Sequence, residues 1–132
     1  MKTFLEFPAE IILLLFVIIT FLQSGLDKVF EWNGNLSWLK GHFKESPFKN
    51  MVPFLLGTIT LVEVVAGILC AIGVVQLLTG GSKTMALYGA TTSCIALLML
   101  LFGQRMAKDY AGAQTIVIYL MPAVFLVFLL QQ

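Results

Sequence analysis

The sequence predicts an all-α polytopic membrane protein, a four-transmembrane-helix antiparallel bundle with a long first loop. Three observations predict it. Hydrophobic residues fill 59% of the 132 positions and charged residues 11%, whereas an average soluble domain is about 25% charged. Four apolar runs, at about 8–30, 53–78, 84–104 and 111–130, each approach the ~20 residues needed to cross a bilayer. Two of the three connections are tight turns, and short connections make neighbouring helices antiparallel. The whole chain, 1–132, reads as one transmembrane domain, because the spans leave too little sequence for a second core.

The first run, 8–30, is expected to remain as a helix rather than be cleaved. Lys2 is followed by Glu6 and Glu10, so there is no basic leading region, and the run passes into Gln23-Ser24-Gly25-Leu26-Asp27-Lys28 rather than a small-x-small site. Its end carries a polar stripe. Thr20, Gln23, Ser24, Asp27 and Glu31 share one helical face, and Lys28 sits one turn beyond Ser24. The loop 31–52 alternates Trp32, Leu36, Trp38, Leu39 and Phe43 with Asn33, Asn35, Lys40, His42 and Lys44. Tryptophans suit the headgroup level, so a short interfacial helix over about 36–43 is expected, ended by Ser46-Pro47 and serving as an anchor. His42, the single histidine, reads as a surface residue.

The second run, 53–78, holds one acid, Glu63, among Leu, Ile, Val, Gly and Thr. An acid at mid-membrane costs roughly 2.5–3.5 kcal/mol on insertion scales, so it usually faces a bundle interior and has a role. Thr60, Gly67 and Cys70 lie at helical spacing from Glu63 and form the small, slightly polar stripe that packs against another helix. Glu63 is therefore expected to look inward, about 14 Å from the loop-rich face. Cys70 and Cys94 are the only cysteines, with no CxxC. Counted from that face, they should lie at depths of about 24 and 14 Å, too far apart for a disulfide. Both are read as packing residues. Thr79-Gly80-Gly81-Ser82-Lys83 turns the chain into the third run, 84–104, and Lys108-Asp109-Tyr110 turns it into the fourth, 111–130.

Charge divides unequally between the two membrane faces. The face with the termini and the Gly80-Gly81 turn carries Lys2 and Lys83; the other carries Lys28, Lys40, Lys44, Lys49, Arg105 and Lys108. The positive-inside rule places the second face in the cytoplasm. On that face the third run ends with Gln104, Arg105, Lys108 and Asp109, where Gln104–Lys108 and Arg105–Asp109 have i,i+4 spacing. The expected object is a polar pocket with Glu63 at its floor and Asp27, Lys28, Arg105, Lys108 and Asp109 around its mouth. A salt-bridge network that only fixes helix packing is the competing reading.

Several chemistries find no support. A net charge of +1 offers no basic face for nucleic acid. One histidine cannot supply two axial haem ligands, no Gly-rich loop follows a strand, and no zinc or dithiol motif exists, so no metal or intrinsic cofactor is expected. No inverted repeat is evident, and four helices are few for an alternating-access transporter.

Three segments together resemble the DoxX family of small four-helix membrane proteins. They are Ser24-Gly25-Leu26-Asp27-Lys28-Val29, Glu63-x-x-x-Gly67 followed by Gly73, and Phe102-Gly103-Gln104-Arg105-Met106-Ala107-Lys108-Asp109-Tyr110-Ala111-Gly112-Ala113. The last is the most specific, and the resemblance covers nearly the whole chain. The tryptophan-bearing first loop looks like a branch of the family rather than its general pattern. The family is similar to the membrane subunit of a thiosulfate:quinone oxidoreductase, and other members look like membrane anchors of redox complexes. The resemblance implies a bacterial cytoplasmic (inner) membrane, a quinone or a redox protein as partner, and electrons carried by that partner.

The leading expectation is a quinone-interacting membrane subunit of a redox complex. Glu63 is its proton-handling candidate, with Gln23, Ser24, Asp27, Lys28, Gln104, Arg105, Lys108, Asp109 and Tyr110 as ligand-binding candidates. Arg105 or Lys108 would stabilise negative charge developing on a headgroup. A non-catalytic scaffold or assembly subunit is the alternative, and a small-molecule or lipid-handling protein a further one. Catalysis by the chain itself, and its oligomeric state, are left open.

Overall fold

The structure is a computed structural model that describes residues 6–80 and 82–132. Lys2 and Gly81, invoked above for face charge and for the turn, lie outside the described residues. The elements are α1 (Pro8–Phe30), α2 (Trp32–His42), α3 (Val52–Gly80), α4 (Thr84–Met106) and α5 (Tyr110–Leu130). All but α2 are long and apolar enough to cross a membrane, which is the makeup of a multi-pass membrane protein. Large apolar side chains such as Ile19, Phe54, Leu61, Val75, Ile118 and Met121 stand exposed on the outside of the bundle. In water such a surface would be a liability; in lipid it is the solvated face.

The chain forms an up-and-down ring in which α3 is central, packed closely on both α1 and α4, while α4 packs on α5. Small residues permit these approaches. A Cβ on Gly73 would strike the Ala86 backbone, and one on Gly89 would meet the Cys70 backbone nitrogen and Sγ at 2.7 Å. At the α1–α3 crossing, a Cβ on Gly25 would strike Val64 and one on Gly67 would strike Leu22. Close backbone approach through small residues is how helices associate where lipid removes the hydrophobic drive between them. The closing seam of the ring, between α1 and α5, is only lightly packed.

The core is built from Leu14, Val17 and Phe21 of α1, Leu56, Ala66 and Leu77 of α3, Ala90 and Leu97 of α4, and Leu126 of α5. Buried residues on α5 skip from Ala113 to Ala123, and of the stretch between them Ile116 and Tyr119 line the α1–α5 seam. Pro122, inside α5, costs one helix hydrogen bond, which transmembrane helices tolerate.

The spans agree with expectation to within two residues at their ends, and the loop helix differs more. It starts at Trp32 and ends at His42, so only Glu31 separates it from α1. The Asn35 side-chain amide donates to the Glu31 carbonyl at 2.9 Å and to the Asp27 carbonyl at 3.4 Å. Both carbonyls also accept a backbone amide, Asp27 from Glu31 at 2.8 Å and Glu31 from Asn35 at 2.9 Å, so the side chain reinforces a backbone ladder that runs from α1 into α2. Cys70 and Cys94 are both free. Their depths differ by less than expected. The α3–α4 register sets Cys70 against Gly89, five residues from Cys94, which is about 7.5 Å along the axis.

Candidate membrane-embedded ligand site

Glu63 lies inward on α3 and is 1% exposed. Its partner is Lys28, whose ammonium lies 3.3 Å from Glu63 Oε2 and donates to Ser24 Oγ at 2.6 Å. Helical side chains lean toward the N-terminus of their own helix. Lys28, near the end of α1, therefore reaches back into the membrane, and Glu63, on antiparallel α3, reaches outward to meet it. The expected place of Lys28 at the mouth of a pocket is thus corrected: its ammonium sits beside the acid.

The pair leaves one atom unsatisfied. Glu63 Oε1 is buried and has no hydrogen-bond partner among the described residues. A buried acceptor without a donor is costly and in a native protein calls for an explanation. Glu63 also borders a cavity of about 420 Å³ at the α1–α5 seam, lined by Ile19, Thr20, Phe21, Gln23, Ser24 and Asp27 of α1, Leu97 and Leu100 of α4, and Ile116 and Tyr119 of α5. Its size is within the range of small-molecule pockets. The α1 stripe read from the sequence forms one wall, with Gln23 and Asp27 toward solvent or headgroups. Phe16 stacks on Tyr119 across the seam with ring centroids 6.1 Å apart.

A second cavity, of about 300 Å³, lies under α2. Trp38, Leu39 and His42 contribute from α2 and Phe43 from just beyond it, Leu56 and Ile59 from α3, and Gly103 and Gln104 from α4. It is almost wholly apolar; Lys28 forms part of its wall, and Leu100 borders both cavities. The Lys28–Glu63 pair thus stands between the two.

The remaining candidates do not gather into a ring. Gln104 turns to His42, with Oε1 2.9 Å from Nε2, rather than to Lys108. Asp109 caps α5 by accepting from the Gly112 amide at 2.9 Å, and its other oxygen lies 3.6 Å from His42 Nε2. A Cβ on Gly112 would fall 2.7 Å from Asp109 Oδ2 and 2.9 Å from Gln104 Nε2, so glycine is needed there for this cluster to form. Arg105 is exposed and lies over the Tyr110 ring at 4.9 Å, a cation–π contact, rather than reaching Asp109. Lys108 is exposed in the turn with φ 60°, a left-handed conformation uncommon outside glycine. The two i,i+4 pairs expected here do not form because α4 ends at Met106.

His42 is the residue that sequence reasoning missed. It is half-buried, stacked on Trp38 at 4.6 Å and bonded to Gln104, so it brackets α2 onto the α4–α5 turn instead of facing water. The available signal was its company: an aromatic four residues earlier, and Gln104 and Asp109 on the same membrane face. Among the described residues no group of three or more His, Cys, Asp or Glu is placed to hold a metal. Comparison with family models, curated proteins and solved structures gives no match.

Proposed function

We propose that this chain is a DoxX-like membrane subunit of a redox complex that binds a quinone at the α1–α5 seam. One observation carries the reading: Glu63, with its buried and unpartnered Oε1, lines a cavity whose α1 wall sets Thr20, Gln23, Ser24 and Asp27 among Ile19 and Phe21 and whose far wall is apolar apart from Tyr119. A molecule with an apolar body and a hydrogen-bonding head matches both walls, and one dissolved in the bilayer reaches the cavity through the lightly packed seam. Lys28 holds Oε2, so Oε1 is free to exchange a proton with a bound head. In this reading electrons come from a partner protein in a bacterial cytoplasmic membrane. Arg105 and Lys108, exposed at the loop-rich face, are then contacts for that partner rather than for the headgroup.

Native mass spectrometry of the protein extracted gently from its own membranes, followed by Glu63→Gln, tests this. The wild type is expected to carry quinone, and the folded variant to lose quinone turnover by tenfold or more, about the lower end of a general acid–base contribution. A chain carrying phospholipid alone, with turnover unchanged in Glu63→Gln, overturns the reading.

A scaffold role has its own supporting observation. The Lys28–Glu63 pair ties α1 to α3, and the His42–Gln104 contact ties α2 to α4. If that is their whole purpose, Glu63→Gln lowers thermal stability without releasing any small molecule.

A further inference from the structure

Resting on the quinone reading, we propose that the seam cavity selects the reduced, hydroxyl-bearing form of its ligand, a quinol, over the oxidised quinone. The argument is one of hydrogen-bond sign. Glu63, which lines the cavity, has one unsatisfied carboxylate oxygen, Oε1, and Asp27 adds a second carboxylate to the wall. Ionised carboxylates only accept. Lys28, the cation that would offset them, directs its ammonium to Ser24 Oγ and Glu63 Oε2. The hydroxyls of Thr20, Ser24 and Tyr119 and the carboxamide of Gln23 can act in either sense, so the carboxylates decide the preference.

A quinol presents an O–H to Glu63 Oε1 and supplies the missing donor. A quinone presents a carbonyl oxygen to the same atom and leaves acceptor against acceptor. Sites built to receive a donor reject the analogue that lacks it, because the buried protein group is then left unpaired. The preference has a redox consequence. A tenfold tighter hold on the reduced form raises the potential of the bound two-electron couple by about 30 mV.

The test uses purified protein in lipid nanodiscs, without oxygen, with a decyl-substituted benzoquinol and the matching benzoquinone as probes. The dissociation constant of each is measured by equilibrium dialysis for the wild type and for Glu63→Gln, whose amide offers both a donor and an acceptor. The quinol is expected to bind about tenfold tighter or more in the wild type, falling to within about threefold in the variant. Equal wild-type affinities, or a preference for the quinone, overturn the redox selectivity and leave quinone binding intact. Failure of both probes to bind overturns the quinone reading itself. The wild-type ratio decides the matter alone if Glu63→Gln folds poorly.

Discussion

Lys28 is the one partner that Glu63 has among the described residues, with Oε2 at 3.3 Å and Oε1 already alone. Lys28→Met keeps the apolar stem along α1 but strands the carboxylate. Breaking a buried pair from one side costs about 3–5 kcal/mol in soluble proteins, whereas replacing both partners with uncharged groups is often neutral. Lys28→Met is therefore expected to lower the midpoint of thermal unfolding in detergent well below wild type. The double variant Lys28→Met/Glu63→Gln should recover most of the loss. Strictly additive losses would show that the two side chains do not act as a pair. The site was half legible from sequence. An acid among apolar neighbours, with Thr60 and Gly67 at helical spacing, marked Glu63 as inward, and the Thr20–Asp27 periodicity marked the α1 wall. Lys28 was misplaced because counting helical rise locates Cα atoms, while a lysine stem reaches a full turn back along its own helix.

Apolar runs located the four long helices because each must satisfy its own backbone in lipid, so length and composition alone mark them. What the runs did not carry was contact between elements. The α3–α4 register depends on Gly73 against Ala86 and Gly89 against Cys70, and nothing in the sequence says which glycine meets which neighbour. The extent of α2 was similarly hidden, since its mixed polar and aromatic pattern covers an apolar cavity beneath it. These packing details are testable by contrast. Gly73→Ala places a methyl group against Ala86 backbone atoms that cannot move without shifting α4, and overpacking of this kind costs about 1–3 kcal/mol. Gly34→Ala, on α2 with nothing within 4 Å of the added methyl, should be neutral or stabilising by up to about 1 kcal/mol, because alanine is the better helix former. Thermal unfolding of the two variants under one condition checks the pair. A Gly73→Ala midpoint at or above that of Gly34→Ala would mean that the α3–α4 contact is looser than the geometry shows.

Across the whole molecule, the bundle presents two unlike faces to the membrane surfaces. On the loop-rich side Lys40, Lys44, Lys49, Arg105 and Lys108 are all exposed. Lys28 leaves that set because its ammonium is directed to Glu63. On the opposite side Lys83 lies over the Phe7 ring at 5.1 Å. Orientation follows the bias in Lys and Arg and is little affected by acids, so Glu31, Glu45 and Asp109 do not cancel the loop-side excess. The loop-rich face, with α2, Arg105 and Lys108, is therefore expected on the cytoplasmic side. Single cysteines test this in a background carrying Cys70→Ala and Cys94→Ala. Lys44→Cys should react with a membrane-impermeant thiol reagent only in inside-out vesicles, and Ser82→Cys, exposed in the α3–α4 turn, only in right-side-out ones. The reverse pattern would put α2 outside the cell and require any donor of electrons to the seam to act from there.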